Sequence, residues 1–258
     1  MIQERAFYYV FNFLNPSATL GLTTLAQVLR LDPDAPFRSF GIAVVVYNGT
    51  SGQASLAVRF SRGDQDYIQK ILTPAPMLDP FDTGNTVGAA GAQGPSFVYY
   101  APLYPNILYQ PDSAIDIDIQ NLPLNSSTVA LVVFVGTKIF KPGSVWRPPL
   151  PENYNTLPLL SYPLQLQFTS LPARDVVFQA SNEAGILWQA GQHTTVGIPA
   201  SSHIGLKFRD YMGKPYMNDF VPVELLFGFD NAQIPGFPYP EIYIPRNELL
   251  VFDAAVIA

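Results

Sequence analysis

The chain has 258 residues and a net charge of -6, and only 13% of its residues are charged, about half the share of an ordinary soluble domain. It holds no run of Lys and Arg able to neutralise a phosphate backbone, which excludes nucleic acid as a partner. Cysteine is absent, so disulfides and thiolate metal sites are excluded, and the longest wholly apolar run, Val129 to Val135, falls far short of the ~20 residues of a membrane-spanning helix. The opening Met-Ile-Gln-Glu-Arg has no basic, apolar and small-residue signal pattern, so synthesis in a host cytoplasm is expected.

In chain order, β-branched and aromatic runs bounded by Gly, Pro, Asn and Asp predict eight strands in the first half. They are Ala6–Leu14, Leu25–Leu31, Phe37–Tyr47, Ala54–Phe60, Tyr67–Leu72, Phe97–Leu108, Ala114–Leu122 and Thr128–Phe140. Leu20–Arg30 also fits a helix, because Leu22, Leu25, Ala26 and Leu29 fall on one helical face. In Ala114–Gln120 the three isoleucines alternate with Asp116 and Asp118, the pattern of a half-buried strand. Ile42–Tyr47 and Val129–Val135 are apolar on both faces, as in a strand covered on two sides. Asn48-Gly49 reads as a tight hairpin turn, and Gly84–Gly94 as a loop. Long irregular connections favour a jelly-roll sandwich over an up-and-down barrel.

Lys141–Pro163 contains Pro142, Pro148, Pro149, Pro151, Pro158 and Pro163, which disfavours both helix and central strand and marks a linker. Trp146 is costly to leave on a solvated tether, so this segment is expected to lie against protein. Trp146, Arg147, Pro148, Pro149 and Tyr154 are therefore the candidate interface residues. Further strands are predicted at Leu164–Phe168, Val176–Gln179, Gly185–Gln189, His203–Arg209, Phe220–Phe227, Glu241–Ile244 and Leu249–Ile257.

The second half resembles the first. Val58–Tyr67, Tyr104–Pro111 and Ala114–Ile119 find weak counterparts in Leu206–Tyr216, Tyr239–Pro245 and Glu248–Asp253, about 150 residues on. The expected fold is all-β: a first β-sandwich domain at 1–141, a proline-rich linker at 142–163, and a second, duplicated jelly-roll-like domain at 164–258. This alignment leaves the second copy without a counterpart to Val129–Val135, so an open edge is expected near Leu249–Ala258, available for strand donation.

Chemistry is hard to find. His193 and His203 have no partner at metal-ligand spacing, Asp112, Asp116 and Asp118 read as a solvated face, and Asp79–Asn85 misses the calcium-loop pattern. No nucleophile elbow or phosphate loop is present, so no enzyme activity and no cofactor are expected. Tyr99, Tyr100, Tyr104, Tyr109, Phe237, Tyr239 and Tyr243 suit sandwich cores and interfaces, with a sugar-stacking platform as the alternative and carbohydrate as its ligand. With so little charge, much of the exterior is neutral or apolar, which suits a subunit buried among neighbours.

From Asp32-Pro-Asp-Ala-Pro-Phe-Arg-Ser-Phe-Gly-Ile42 through Asp118, and again from Gly205 through Val251, the chain resembles virion structural proteins of tailed bacteriophages. That resemblance implies a virion protein of the head-decoration, head-fibre, capsid-associated or tail type, with itself and other virion proteins as partners. It carries no catalytic residues.

Overall fold

The structure is a computed structural model that describes residues 3–14, 24–48, 56–62, 65–66, 73–74, 85–87, 96–121, 128–142, 173–179, 185–187, 204–210, 212–222, 225–226, 242–244 and 249–257. The strands of the first half are β1 (Gln3–Leu14), β2 (Thr24–Arg30), β3 (Phe37–Asn48), β4 (Leu56–Arg62), β5 (Gln65–Asp66), β6 (Thr73–Pro74), β7 (Asn85–Val87), β8 (Ser96–Tyr109), β9 (Ala114–Asn121) and β10 (Thr128–Phe140). Those of the second are β11 (Ala173–Gln179), β12 (Gly185–Leu187), β13 (Ile204–Asp210), β14 (Val221–Pro222), β15 (Ile242–Ile244) and β16 (Leu249–Val256). The all-β expectation holds, and every pairing between these strands is antiparallel. Thr24–Arg30 is strand, so the helical option at Leu20–Arg30 is overturned: seven consecutive backbone pairings with β9 take precedence over a four-residue helical stripe.

The pairing has a simple arithmetic. β1 pairs with β10, β2 with β9 and β3 with β8, the nesting of one long hairpin. Cross-pairing of β10 with β3 and of β9 with β4 rolls that hairpin into two sheets. Sheet A has the order β1-β10-β3-β8-β7, and sheet B the order β2-β9-β4-β5 with β6 also on β4. The second half repeats the nesting: β11 pairs with β16, β12 with β15 and β13 with β14, while β16 also pairs with β13. Sheet C is thus β11-β16-β13-β14, and β12-β15 forms a separate ribbon.

This repeat runs in a different register from the sequence similarity. β13 takes the role of β3, where the similarity sets it against β4, and β16 takes the role of β10, where the similarity sets it against β9. Leu249–Val256 is therefore paired on both sides and is not the expected open edge. The apolar alternation in β9 and β16 is alike enough to align them, but the hydrogen-bond ladder assigns them different places. Among the described residues the positions of β4, β5, β6 and β7 have no counterpart in the second half.

Sheet A is the middle layer. Phe7, Tyr9, Phe11 and Phe13 of β1, with Ile42, Val44, Val132 and Phe134, meet Val58, Phe60, Ile115, Ile117 and Ile119 of sheet B. From its opposite face Ala6, Tyr8, Val10, Ala43, Val45, Leu131 and Val133 meet Leu206, Phe208, Leu250, Phe252 and Ala254 of sheet C. β3 and β10 are apolar on both faces because both faces are covered, as the sequence pattern requires. The described strands on either side of residues 142–163 share one core.

Candidate functional site

Two features of sheet A join the layers. The first is a seam along its β1 edge. β13 ends at Asp210, whose backbone carbonyl accepts from the Gly213 N–H at 2.9 Å, with Gly213 at a φ of 78° that suits a residue without Cβ. The chain then returns beside β13, Tyr216 N–H donating to the Phe208 carbonyl at 3.0 Å, and its far side docks on β1. There Tyr8 N–H donates to the Tyr216 carbonyl at 2.9 Å and Asn218 N–H to the Tyr8 carbonyl at 3.3 Å. The Asn218 side chain continues the pattern as a peptide group would: Nδ2 donates to the Val10 carbonyl at 3.0 Å and Oδ1 accepts from Val10 N–H at 2.6 Å. Met217, fully buried, plugs the seam.

The second feature is a set of charges at the same end of the sheet. The Arg5 side chain, 3% exposed, donates from Nη2 to the Lys214 carbonyl at 2.6 Å, lies 3.3 Å from Asp210 Oδ2 and stacks 4.1 Å over the Tyr216 ring. Burial lowers its pKa below the usual arginine value, with Tyr216 and Asp210 opposing that shift. Lys138, its register partner on β10, reaches the other way. Its Nζ sits 2.6 Å from Asp32 Oδ2 and 2.9 Å from Asp34 Oδ1, and 4.0 Å over the Phe7 ring. Tyr9 Oη accepts from the Asp32 N–H at 3.0 Å and donates to its carboxylate at 3.2 Å. Desolvation pushes the Tyr9 phenol far above its ordinary pKa. Glu4 completes the set, pairing with Arg38 at 2.8 Å and accepting from Thr137 at 3.3 Å. In a chain with so few charges, three cations and four carboxylates meet here, arranged as ion pairs and cation–π contacts that position the loop 31–36 and the seam.

Sequence reading missed this cluster. Asp32-Pro-Asp-Ala-Pro carried only a family resemblance, yet its two carboxylates are the counter-charges of Lys138. The available signal was Lys138 itself, a cation in the inward phase of Phe134 and Gly136 on an otherwise apolar strand, where charge is retained only with a partner.

The outer surface is plainer. Asp118 of β9 pairs with Arg59 of β4, and Asp116 lies on the same outward face, so these two carboxylates belong to a solvent-facing row as expected. Asp112 occupies an exposed turn with a φ of 59°. Among the described residues no group of three His, Cys, Asp or Glu is placed to hold a metal ion. Opposite Phe40, which both neighbouring registers skip, β8 extrudes Leu103–Asn106 around a cis Tyr104-Pro105 bond. Tyr104 at its tip is 89% exposed.

The aromatics proposed for stacking are spread over three environments. Tyr109 is buried between Phe37 and Phe134, Tyr100 packs over Gly41 on the sheet C side, and Tyr104 projects outward. The side chains of Tyr99 and Tyr243, together with Phe237 and Tyr239, lie outside the described residues. So do Trp146, Arg147, Pro148, Pro149 and Tyr154, both histidines, Tyr67–Leu72 and Leu164–Phe168.

No protein-family model matches the chain, and no curated protein matches it. Among solved structures, one of deformed wing virus, a honeybee pathogen, is similar over 98% of this chain and 84% of the other, at 12% identity and a TM-score of 0.23. A score of that size does not establish a shared fold.

Proposed function

We propose that this chain is a non-enzymatic structural subunit of a virus particle, of the capsid-associated or decoration type found in tailed bacteriophages, and that it works by assembling with copies of itself and with other virion proteins. The observation that carries this reading is the twice-repeated nesting of strand pairs. A hairpin rolled so that its first strand meets its last, its second the last but one and its third the last but two follows the jelly-roll plan, with β5 and β6 sharing the fifth position, opposite β4, in the first half. In this reading two jelly-roll-like domains, with 142–163 as the linker between them, offer sheet surfaces to neighbouring subunits, and jelly rolls recur in capsids. The low charge supports the same reading, because a neutral exterior favours a subunit surrounded by neighbours over a free monomer.

Light scattering after size exclusion, over a range of concentrations, tests it. A mass that is a multiple of 28.4 kDa, a trimer or higher, is the expected result. A monomer at every concentration, together with hits on a glycan array, would replace assembly by host-glycan attachment.

A further inference from the structure

Exposed sheet edges invite pairing with other chains, and proteins blunt them with short strands, proline, bulges, charge or cover. Among the described residues nearly every edge is blunted. β1 is closed at Tyr8 and Val10 by Tyr216 and Asn218. β5, β6, β7, β12, β14 and β15 are two or three residues long. β11 has a bulge between Ala173 and Val176, and the open part of β8 contains Pro102, Pro105 and the extruded loop. β2 is different. It ends sheet B, pairs with β9 at all seven residues without a register shift, and contains no proline, glycine or lysine. Its only charge, Arg30, stands at its end, and Ala26, Gln27 and Val28 are exposed, Val28 to 63%. Among the described residues nothing pairs with its outer side.

We infer that β2 is an assembly edge that pairs antiparallel with β2 of a second copy about a two-fold axis through Gln27, an inference that rests on the assembly reading above. The sequence Thr-Leu-Ala-Gln-Val-Leu-Arg is self-complementary in that register. Thr24 faces Arg30 of the other copy, Leu25 faces Leu29, and Ala26 faces Val28. Opposed residues of an antiparallel pair lie on the same face, so Leu29 stays on the core side and Ala26 and Val28 on the outer side. The two Arg30 side chains stand roughly 20 Å apart along the strands, too far to repel strongly through salt. The contact is isologous and closes on itself. One seven-residue pair is smaller than the about 1,200 Å² of a stable interface, so the dimer is weak in isolation and gains strength when other contacts hold copies together.

Sedimentation velocity on the intact chain over a concentration series tests the pairing. Lysine at both positions, in the variant A26K/V28K, sets like charges directly opposite one another and should weaken self-association at least tenfold. Mixing it with A26E/V28E should restore a one-to-one complex by native mass spectrometry. Amide exchange gives a readout without mutation: β2 amides of the unmodified chain should exchange faster on dilution. Association unchanged in A26K/V28K, or β2 exchange that stays constant while the mass changes, overturns the edge and leaves assembly through another surface. A monomer at every concentration overturns the assembly reading itself.

Discussion

Arg5 and Lys138 are neighbours across β1 and β10, and each is buried by going to a different layer. Removing one partner of a buried pair costs more than the pair contributes, because the remaining charge keeps its desolvation penalty. Arg5→Leu leaves Asp210 without the Arg5 cation and takes one of two donors from the Lys214 carbonyl, which keeps the Asp210 N–H, so a loss of roughly 3–5 kcal/mol is expected in urea unfolding. The double variant R5L/D210N should recover part of it. Tyr9 gives a pH signature. Its folded-state pKa is raised, so its contribution is fully present below the unfolded phenol value of about 10 and is lost as pH rises, since the unfolded chain then releases a proton that the folded chain keeps. Wild type should exceed Tyr9→Phe by about 1 kcal/mol at pH 8, for the lost hydrogen bond to Asp32. That gap should close on the way to about pH 11; a constant gap in urea titrations would disprove the assignment.

At the level of elements, bulges and seams govern the outcome. Gly136 sits where the register between β10 and β3 shifts, and a Cβ there would strike the Arg38 carbonyl and the Phe37 ring. A backbone oxygen cannot swing aside as a side chain can, so Gly136→Ala should cost about 1–3 kcal/mol or more. Gly41 faces the movable end of the Tyr100 ring, and alanine there should cost less; equal midpoint shifts for the two variants would contradict this. Asn218→Ala removes two hydrogen bonds that only a side-chain amide can make to both polar groups of Val10. A loss of about 2 kcal/mol is expected from the denaturation midpoint. The seam was not visible in sequence because Asn218 and Val10 are 208 positions apart. Several strands were legible, because alternation and two-sided apolarity are local consequences of which faces are covered.

At the level of the whole molecule, sheet A is covered on both faces, so neither neighbouring sheet can leave without exposing an apolar layer. The chain should therefore unfold in one calorimetric transition, with van't Hoff and calorimetric enthalpies equal. Two resolved transitions would mean that the halves are energetically separate.

The amino-acid sequence alone determined the all-β class, most of the described strands, the buried face of β9 and the two-sided burial of β3 and β10. Each follows from side-chain period and β-branching, which act within a few residues. Only the tertiary structure decided the register of the internal repeat, the central place of β16, the counter-charges of Lys138 and the place of β2 at the end of sheet B among the described strands. Those depend on which backbone ladders close between segments far apart in the chain. Similar alternating strands can close several ladders, and the packing of sheets B and C on the two faces of sheet A selects one.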